Sequence, residues 1–173
     1  KLTEFNFKRG YCAFAQGDYR AAEGYFEMVE KAPASTYTAP SRYARGYMEY
    51  AAGQFGSAEQ WFRQSVKDKR FEDLSNYYLL ECRFNDGDYD YVLETGPQMM
   101  ERLPAERAGR LARMLSESYL VKGDKDKAYE YLQKENSADR ERTRSDFFHA
   151  GSVLYAMGDY TGAISNFGKM QPR

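Results

Sequence analysis

The sequence predicts an all-α chain, a solenoid of antiparallel helix-turn-helix hairpins, and three observations carry that expectation. A short Gly-polar step returns five times, the residues around each step fall into columns of like size, and each step stands between two segments of helix length. The steps are Gly17-Asp18-Tyr19, Gly53-Gln54-Phe55, Gly87-Asp88-Tyr89, Gly123-Asp124-Lys125 and Gly158-Asp159-Tyr160, with glycines 36, 34, 36 and 35 residues apart. A single Gly-Asp-Tyr is a common turn signal; five at nearly constant spacing specify a repeat.

Each column has a physical reason. The turn glycine can take the left-handed conformation that ends one helix, and the polar residue after it can cap the next by accepting a backbone N–H bond. Seven residues before the glycines stand Gly10, Gly46, Leu80, Ser116 and Gly151, and five after them Ala22, Ala58, Val92, Ala128 and Ala163. These mostly small residues allow two helices to approach closely. Nine after the glycines, Phe26, Phe62, Gly96, Leu132 and Phe167 fill the space beyond. A bulky side chain in the alanine column is expected to cost about 1–3 kcal/mol by overpacking.

Caps and breakers then place the elements. First helices are expected over residues 3–16, 39–52, 72–85, 104–122 and 144–157, and second helices over 19–31, 55–67, 89–102, 125–134 and 160–170, with no strands. Pro40 and Pro104 suit a first helical turn, where a missing N–H costs nothing. Thr95-Gly96-Pro97 falls inside a second helix, where proline removes one N–H bond and crowds the preceding turn, so a kink or break is expected there. The polar connection 135–142 reads as the mobile joint of the chain or as a helical extension. Together these form a single array over 1–173, with repeats at about 3–36, 39–71, 72–104, 105–139 and 143–173. A start at Lys1 without Met and an end just after a helix read as a piece of a longer protein.

Composition removes several classes of function. Twenty-five Lys and Arg offset 26 Asp and Glu, so net charge gives no reason to expect nucleic acid or an anionic membrane as partner. No apolar run of about 18 residues is present to span a membrane. Cys12 and Cys82 stand far apart without a second pair, neither a disulfide framework nor a zinc spacing, and both read as buried apolar thiols. His149, the one histidine, lies inside a predicted helix without a Cys or paired carboxylate at i+4, so it reads as a helix-surface or interface residue. The acids Glu81, Asp88 and Asp90 read as caps and solvated faces. Phosphate-loop and nucleophile-elbow motifs are missing too. No catalytic residue, metal site or cofactor is expected.

The turn, the small residue seven before it, the alanine and the large residue beyond it together resemble the tetratricopeptide repeat. Pro104 takes the family's closing proline position in the third repeat, and Pro33 lies one residue off it in the first. The resemblance covers almost the whole chain and implies a right-handed α-solenoid whose first helices line a concave groove. One departure stands out. The family's bulky residue four before the turn glycine is replaced by Ala13, Glu49 and Arg83, with Phe14, Tyr50 and Phe84 one place later, which implies a slight rotation of those hairpins. The abundance of Tyr is similar to that of long tetratricopeptide proteins of bacterial cell envelopes, which implies an envelope location facing the periplasm.

In that family the residues ten and six before the turn glycine face inward. Here they are Phe7 and Tyr11, Tyr43 and Tyr47, Tyr77 and Glu81, Arg113 and Glu117, then Phe148 and Ser152. The resemblance thus implies an aromatic wall in the first three repeats and charge in the fourth. Tyr and Phe give large contact area at low entropy cost, which suits a groove that binds a peptide or protein segment. A chaperone-type carboxylate clamp is not expected, since its Lys, Asn and Arg are replaced mainly by aromatics. The same rings can instead pack hairpin against hairpin. A further reading is a structural spacer or oligomerisation arm that meets partners, or itself, through uncapped ends of the solenoid.

Overall fold

The structure is a computed structural model that describes residues 1–136 and 140–170. Among the described residues it holds ten α-helices, one 3-10 helix and no strand. The chain divides into two compact units, Lys1–Asp86 and Gly87–Arg173, with the boundary inside the expected third repeat.

The first unit contains α1 (Leu2–Ala15), α2 (Tyr19–Lys31), α3 (Thr38–Ala51), α4 (Phe55–Ser65) and α5 (Glu72–Asn85). The pairs α1–α2 and α3–α4 form hairpins, α2 packs on α3 and α4 on α5, and α1, α3 and α5 meet side by side. The second unit contains α6 (Tyr89–Thr95), a 3-10 helix (Pro97–Arg102), α7 (Ala105–Val121), α8 (Lys125–Asn136), α9 (Arg144–Ala156) and α10 (Tyr160–Gly168). Here α7–α8 and α9–α10 are the hairpins.

The turns are built as the glycine columns require. Gly17, Gly53, Gly87, Gly123 and Gly158 are the positive-φ residues, at 76° to 84°. In four of these turns the residue after the glycine donates its N–H back across the last helical turn: Asp18 to Ala13, Gln54 to Glu49, Asp124 to Tyr119 and Asp159 to Leu154, each at 2.9 Å. That bond satisfies a carbonyl the helix end leaves open. The aspartates then cap the next helix, Asp18 accepting from the Ala21 N–H, Asp88 from Tyr91, Asp124 from Lys127 and Asp159 from Gly162. Gln54 makes no such bond.

Helix approach follows the size columns. A Cβ at Gly10, Gly46 or Gly151 would stand 2.8, 2.9 or 2.5 Å from the ring of Phe26, Phe62 or Phe167, so each glycine is a socket for the phenylalanine of its own hairpin. Ala22, Ala58, Val92, Ala128 and Ala163 are buried. The shifted aromatics have a role of their own: Phe14 stacks on Tyr19 at 5.6 Å, and Tyr50 meets Phe55 at 5.9 Å, filling the mouth of each hairpin near its turn.

The expected break at Pro97 is present: α6 ends at Thr95 and the chain continues as a 3-10 helix. Gly96 is held there by crowding, since a Cβ would stand 2.6 Å from the Val92 carbonyl and 2.8 Å from Leu115. The helix α8 runs two residues past the expected 125–134, to Asn136. Of the connection 135–142, residues 137–139 lie outside the described residues, as do 171–173, so the ends expected for the last two repeats fall there.

One expectation, on the cysteines, is corrected, and one, on the histidine, is decided. Cys12 is exposed, because it lies on the face of α1 that no helix of the first unit covers; Cys82 alone is buried. Of the two readings of His149, helix surface or interface, the structure has the interface. The residue is 4% exposed and its Nε2 lies 2.7 Å from the Ser116 hydroxyl, which ties α9 to α7.

Candidate functional site

The positions expected to face inward in the first unit take part in a connected row of rings. Phe7 stacks on Tyr11 at 6.2 Å, Tyr11 meets Phe14 at 6.4 Å, Phe14 meets Tyr47 edge-on at 5.6 Å, and Tyr47 meets Tyr50 at 6.1 Å and Tyr78 at 5.6 Å. The row crosses α1, α3 and α5 because those helices lie side by side. Offset and edge-to-face contacts of this kind add about 0.5–1.5 kcal/mol each beyond area burial.

Access varies along the row. Tyr11 is 56% exposed, and Phe7, Tyr43 and Tyr47 are half-buried. Tyr43 leans inward, against Phe62, Phe71 and Tyr78. Tyr77 is 1% exposed and packs edge-on against Tyr78, so its ring belongs to the core. Glu81 is half-buried and accepts a hydrogen bond from the Tyr50 hydroxyl, so it is neither a cap nor a solvated charge. The hydroxyls of Tyr11 and Tyr47 have no protein partner among the described residues. Beneath the row, Ser65 and Ser75 pair at 2.7 Å and Arg83 binds Glu59 at 2.7 Å, locking α4 to α5. Burial, with Glu59 and Glu81 nearby, pushes the Cys82 thiol up to about 12 and leaves it unreactive.

In the second unit, Arg113 and Glu117 form an i,i+4 pair at 3.3 Å. Arg113 also reaches Asp146 Oδ1 at 3.1 Å and the Ser145 hydroxyl at 2.6 Å, so it is held between α7 and α9. Phe148 is exposed and faces Phe167 at 6.0 Å. Behind Arg113 lies a charge cluster that the repeat pattern gives no sign of. Arg140 donates to Glu135 Oε1 at 2.9 Å and to both oxygens of Asp146 at 3.0 and 3.1 Å. Thr143 and Asp146 form a capping box at the start of α9. The Thr-x-x-Asp spacing was the one sequence signal for it.

The two carboxylates that share Arg140 part company. Burial opposes the charge on Asp146, but bonds from Arg140 and Thr143 outweigh it and hold its pKa at about 2. Burial and the neighbouring Asp146 charge raise Glu135 to about 7 against the pull of Arg140. Burial, reinforced by Arg113, lowers His149 to about 4. The Ser116 hydroxyl gives its one proton to the Ala128 carbonyl at 2.6 Å, so it must accept from His149, which fixes the proton on Nε2.

These shifts have opposite signs in stability. A base lowered from 6.5 to about 4 stabilises fully above pH 6.5, and that contribution is lost as pH falls toward 4. An acid raised from 4.5 to about 7 stabilises fully below pH 4.5, and its contribution is lost as pH rises toward 7. Each is worth on the order of 3 kcal/mol. The two contributions therefore oppose each other between about pH 4.5 and 6.5, and chemical denaturation should show a shallower pH dependence there than either group alone would give. Glu135→Gln should unmask the His149 limb, with stability falling more steeply on acidification through that range; an unchanged profile would remove the assignment.

Among the described residues no cluster of His, Cys, Asp and Glu is arranged to hold a metal ion, and no helix is long and apolar enough to cross a membrane.

Comparison with known proteins agrees with this architecture. The family model for the tetratricopeptide repeat matches residues 5–35, which include α1, the Gly17 turn and α2. No curated protein matches the sequence. Among solved structures, MamA (residues 41 to the end) from Desulfovibrio magneticus RS-1 superposes with a TM-score of 0.80 at 17% identity, covering 98% of this chain and 93% of that one. A second MamA structure, from MSR-1, gives 0.72 at 15% identity, with 97% and 94% covered. PilW, a type IV pilus biogenesis factor, gives 0.72 at 14% identity, with 98% and 76% covered. At such identities the likeness is one of fold, an all-α solenoid; the tetratricopeptide-repeat model matches the first hairpin of this chain, and the five left-handed glycine turns repeat the turn of that hairpin along it.

Proposed function

We propose that the chain is a non-catalytic protein-interaction scaffold that holds an extended or helical segment of another protein against the aromatic row of its first unit. The observation that carries this is the accessible part of the row: Tyr11 is exposed and Tyr47 half-buried on neighbouring helices, and neither hydroxyl has a protein partner among the described residues. Rigid aromatic surface with a polar tip favours peptide contact at low entropy cost. Tyr77 belongs to the support of this surface, with Tyr43 reaching from the core to its edge. Arg113 and Glu117 serve as the internal brace of the second unit.

Selection of linear peptides from a random library against the intact chain tests this. Peptides recovered by the wild type should lose binding on Tyr11→Ala with Tyr47→Ala, while the helical signal persists and the chain stays folded at the assay temperature despite the lost ring contacts. Loss of binding together with folding would return the rings to the core. Peptides indifferent to both changes would favour contact through the ends, a reading supported by the exposed Tyr155, Tyr160 and Ile164 around the last hairpin. In that case the sedimentation coefficient should rise with concentration.

A further inference from the structure

A second surface stands apart from the aromatic row, at the end of the first unit formed by α1 and α2. An open groove of about 440 Å³ lies there, lined by Phe5, Lys8, Arg9 and Cys12 from α1 and by Ala21 and Tyr25 from α2. The repeat tells what such a face is for. Thirty-six residues on, Phe5, Lys8, Arg9 and Cys12 become Ser41, Ala44, Arg45 and Met48 of α3, and Tyr25 becomes Trp61 of α4. On α3 that face is covered by α2: Ser41, Ala44 and Met48 are buried. Arg45 lies over the Trp61 ring at 4.2 Å and reaches two carboxylates of α2, Glu30 at 2.7 Å and Glu23 at 3.6 Å.

Arg9 reproduces half of that arrangement. It lies over the Tyr25 ring at 5.0 Å, as Arg45 lies over Trp61, but has no carboxylate partner among the described residues. Phe5 and Cys12 remain exposed beside it. We infer that this end is a docking site for an amphipathic helix of a partner protein that carries two acidic residues seven positions apart, as Glu23 and Glu30 are in α2, to engage Arg9. The seven-residue spacing puts both acids on one helix face, two turns apart.

A second copy of this chain fits less well. Its last hairpin has Ile164 in the column of Glu23 and Gln171 in the column of Glu30, so neither position offers a carboxylate. Charge complementarity selects a different helix.

The probe is a synthetic helical peptide with the sequence of residues 18–33, the segment that covers the equivalent face of α3. Added to the isotopically labelled chain, it should shift amide signals of α1 and α2 around Arg9, with binding that weakens as salt rises. Arg9→Glu, at an exposed position whose fold circular dichroism can verify, should weaken the peptide by about tenfold or more. A peptide with arginine at both acidic positions should regain binding to that variant. Shifts confined to α3, α4 or the aromatic row, or binding indifferent to Arg9→Glu, would overturn the proposal. So would concentration-dependent self-association that Arg9→Glu abolishes, since the occupant would then be a second copy.

Discussion

Phe62→Ala is expected to destabilise the first unit by about 3–5 kcal/mol, a large share of the stability of an ordinary domain. Phe62 is fully buried, stacked on Tyr78 at 5.4 Å and edge-on to Tyr43 at 5.8 Å. Its ring rests on Gly46, and α3, α4 and α5 all meet around it. The socket makes a sharper test possible. Gly46→Ala in the wild type puts a Cβ 2.9 Å from a ring that has nowhere to go and should cost about 1–3 kcal/mol. In the Phe62→Ala background the clash is gone, and the helical preference for Ala over Gly, about 1 kcal/mol, should make the same change stabilising. Urea denaturation of the four proteins gives the coupling. A Gly46→Ala effect of the same sign in both backgrounds would mean that ring and glycine do not meet.

Arg140→Ala is expected to cost the second unit about 3–5 kcal/mol, the usual penalty for removing one partner from a buried ionic group. The loss comes from what is left behind: Glu135 and Asp146, 2% and 3% exposed, would face each other without the cation that separates them. Because Glu135 can take up a proton to relieve that repulsion, the penalty should shrink between pH 8 and pH 5. A penalty independent of pH, measured by chemical denaturation, would place Glu135 outside the cluster. Replacing all three charges with apolar residues of like volume is a different experiment, and buried ionic groups often survive it without loss.

The turns and hairpin contacts were legible because each depends on residues close in sequence. Gly87 with Asp88 fixes one turn, Ala58 one close approach, and α5 occupies the 72–85 that its flanking breakers give it. What was not legible depends on which faces find a cover. Cys12 and Met48 share a repeat column, yet α2 covers Met48 and no helix of the unit covers Cys12. Tyr43 and Tyr77 share another, yet only Tyr77 is fully enclosed, beside Tyr78. Glu135 and Arg140 lie within a polar connection whose composition reads as loose, and Asp146 lies just beyond it. Their convergence is set by how α8 and α9 pack, which no periodicity records.

The 3-10 stretch Pro97–Arg102 encloses none of its side chains fully, Pro97, Met99 and Met100 being half-buried, and Pro97 brings no N–H to it. A segment held by so few enclosed contacts can detach while α7 and its neighbours stay folded, so amide protons there should exchange with solvent long before those of the adjoining helix. Such a seam is also where applied tension would first lengthen the chain, giving slack without dismantling either hairpin of the second unit.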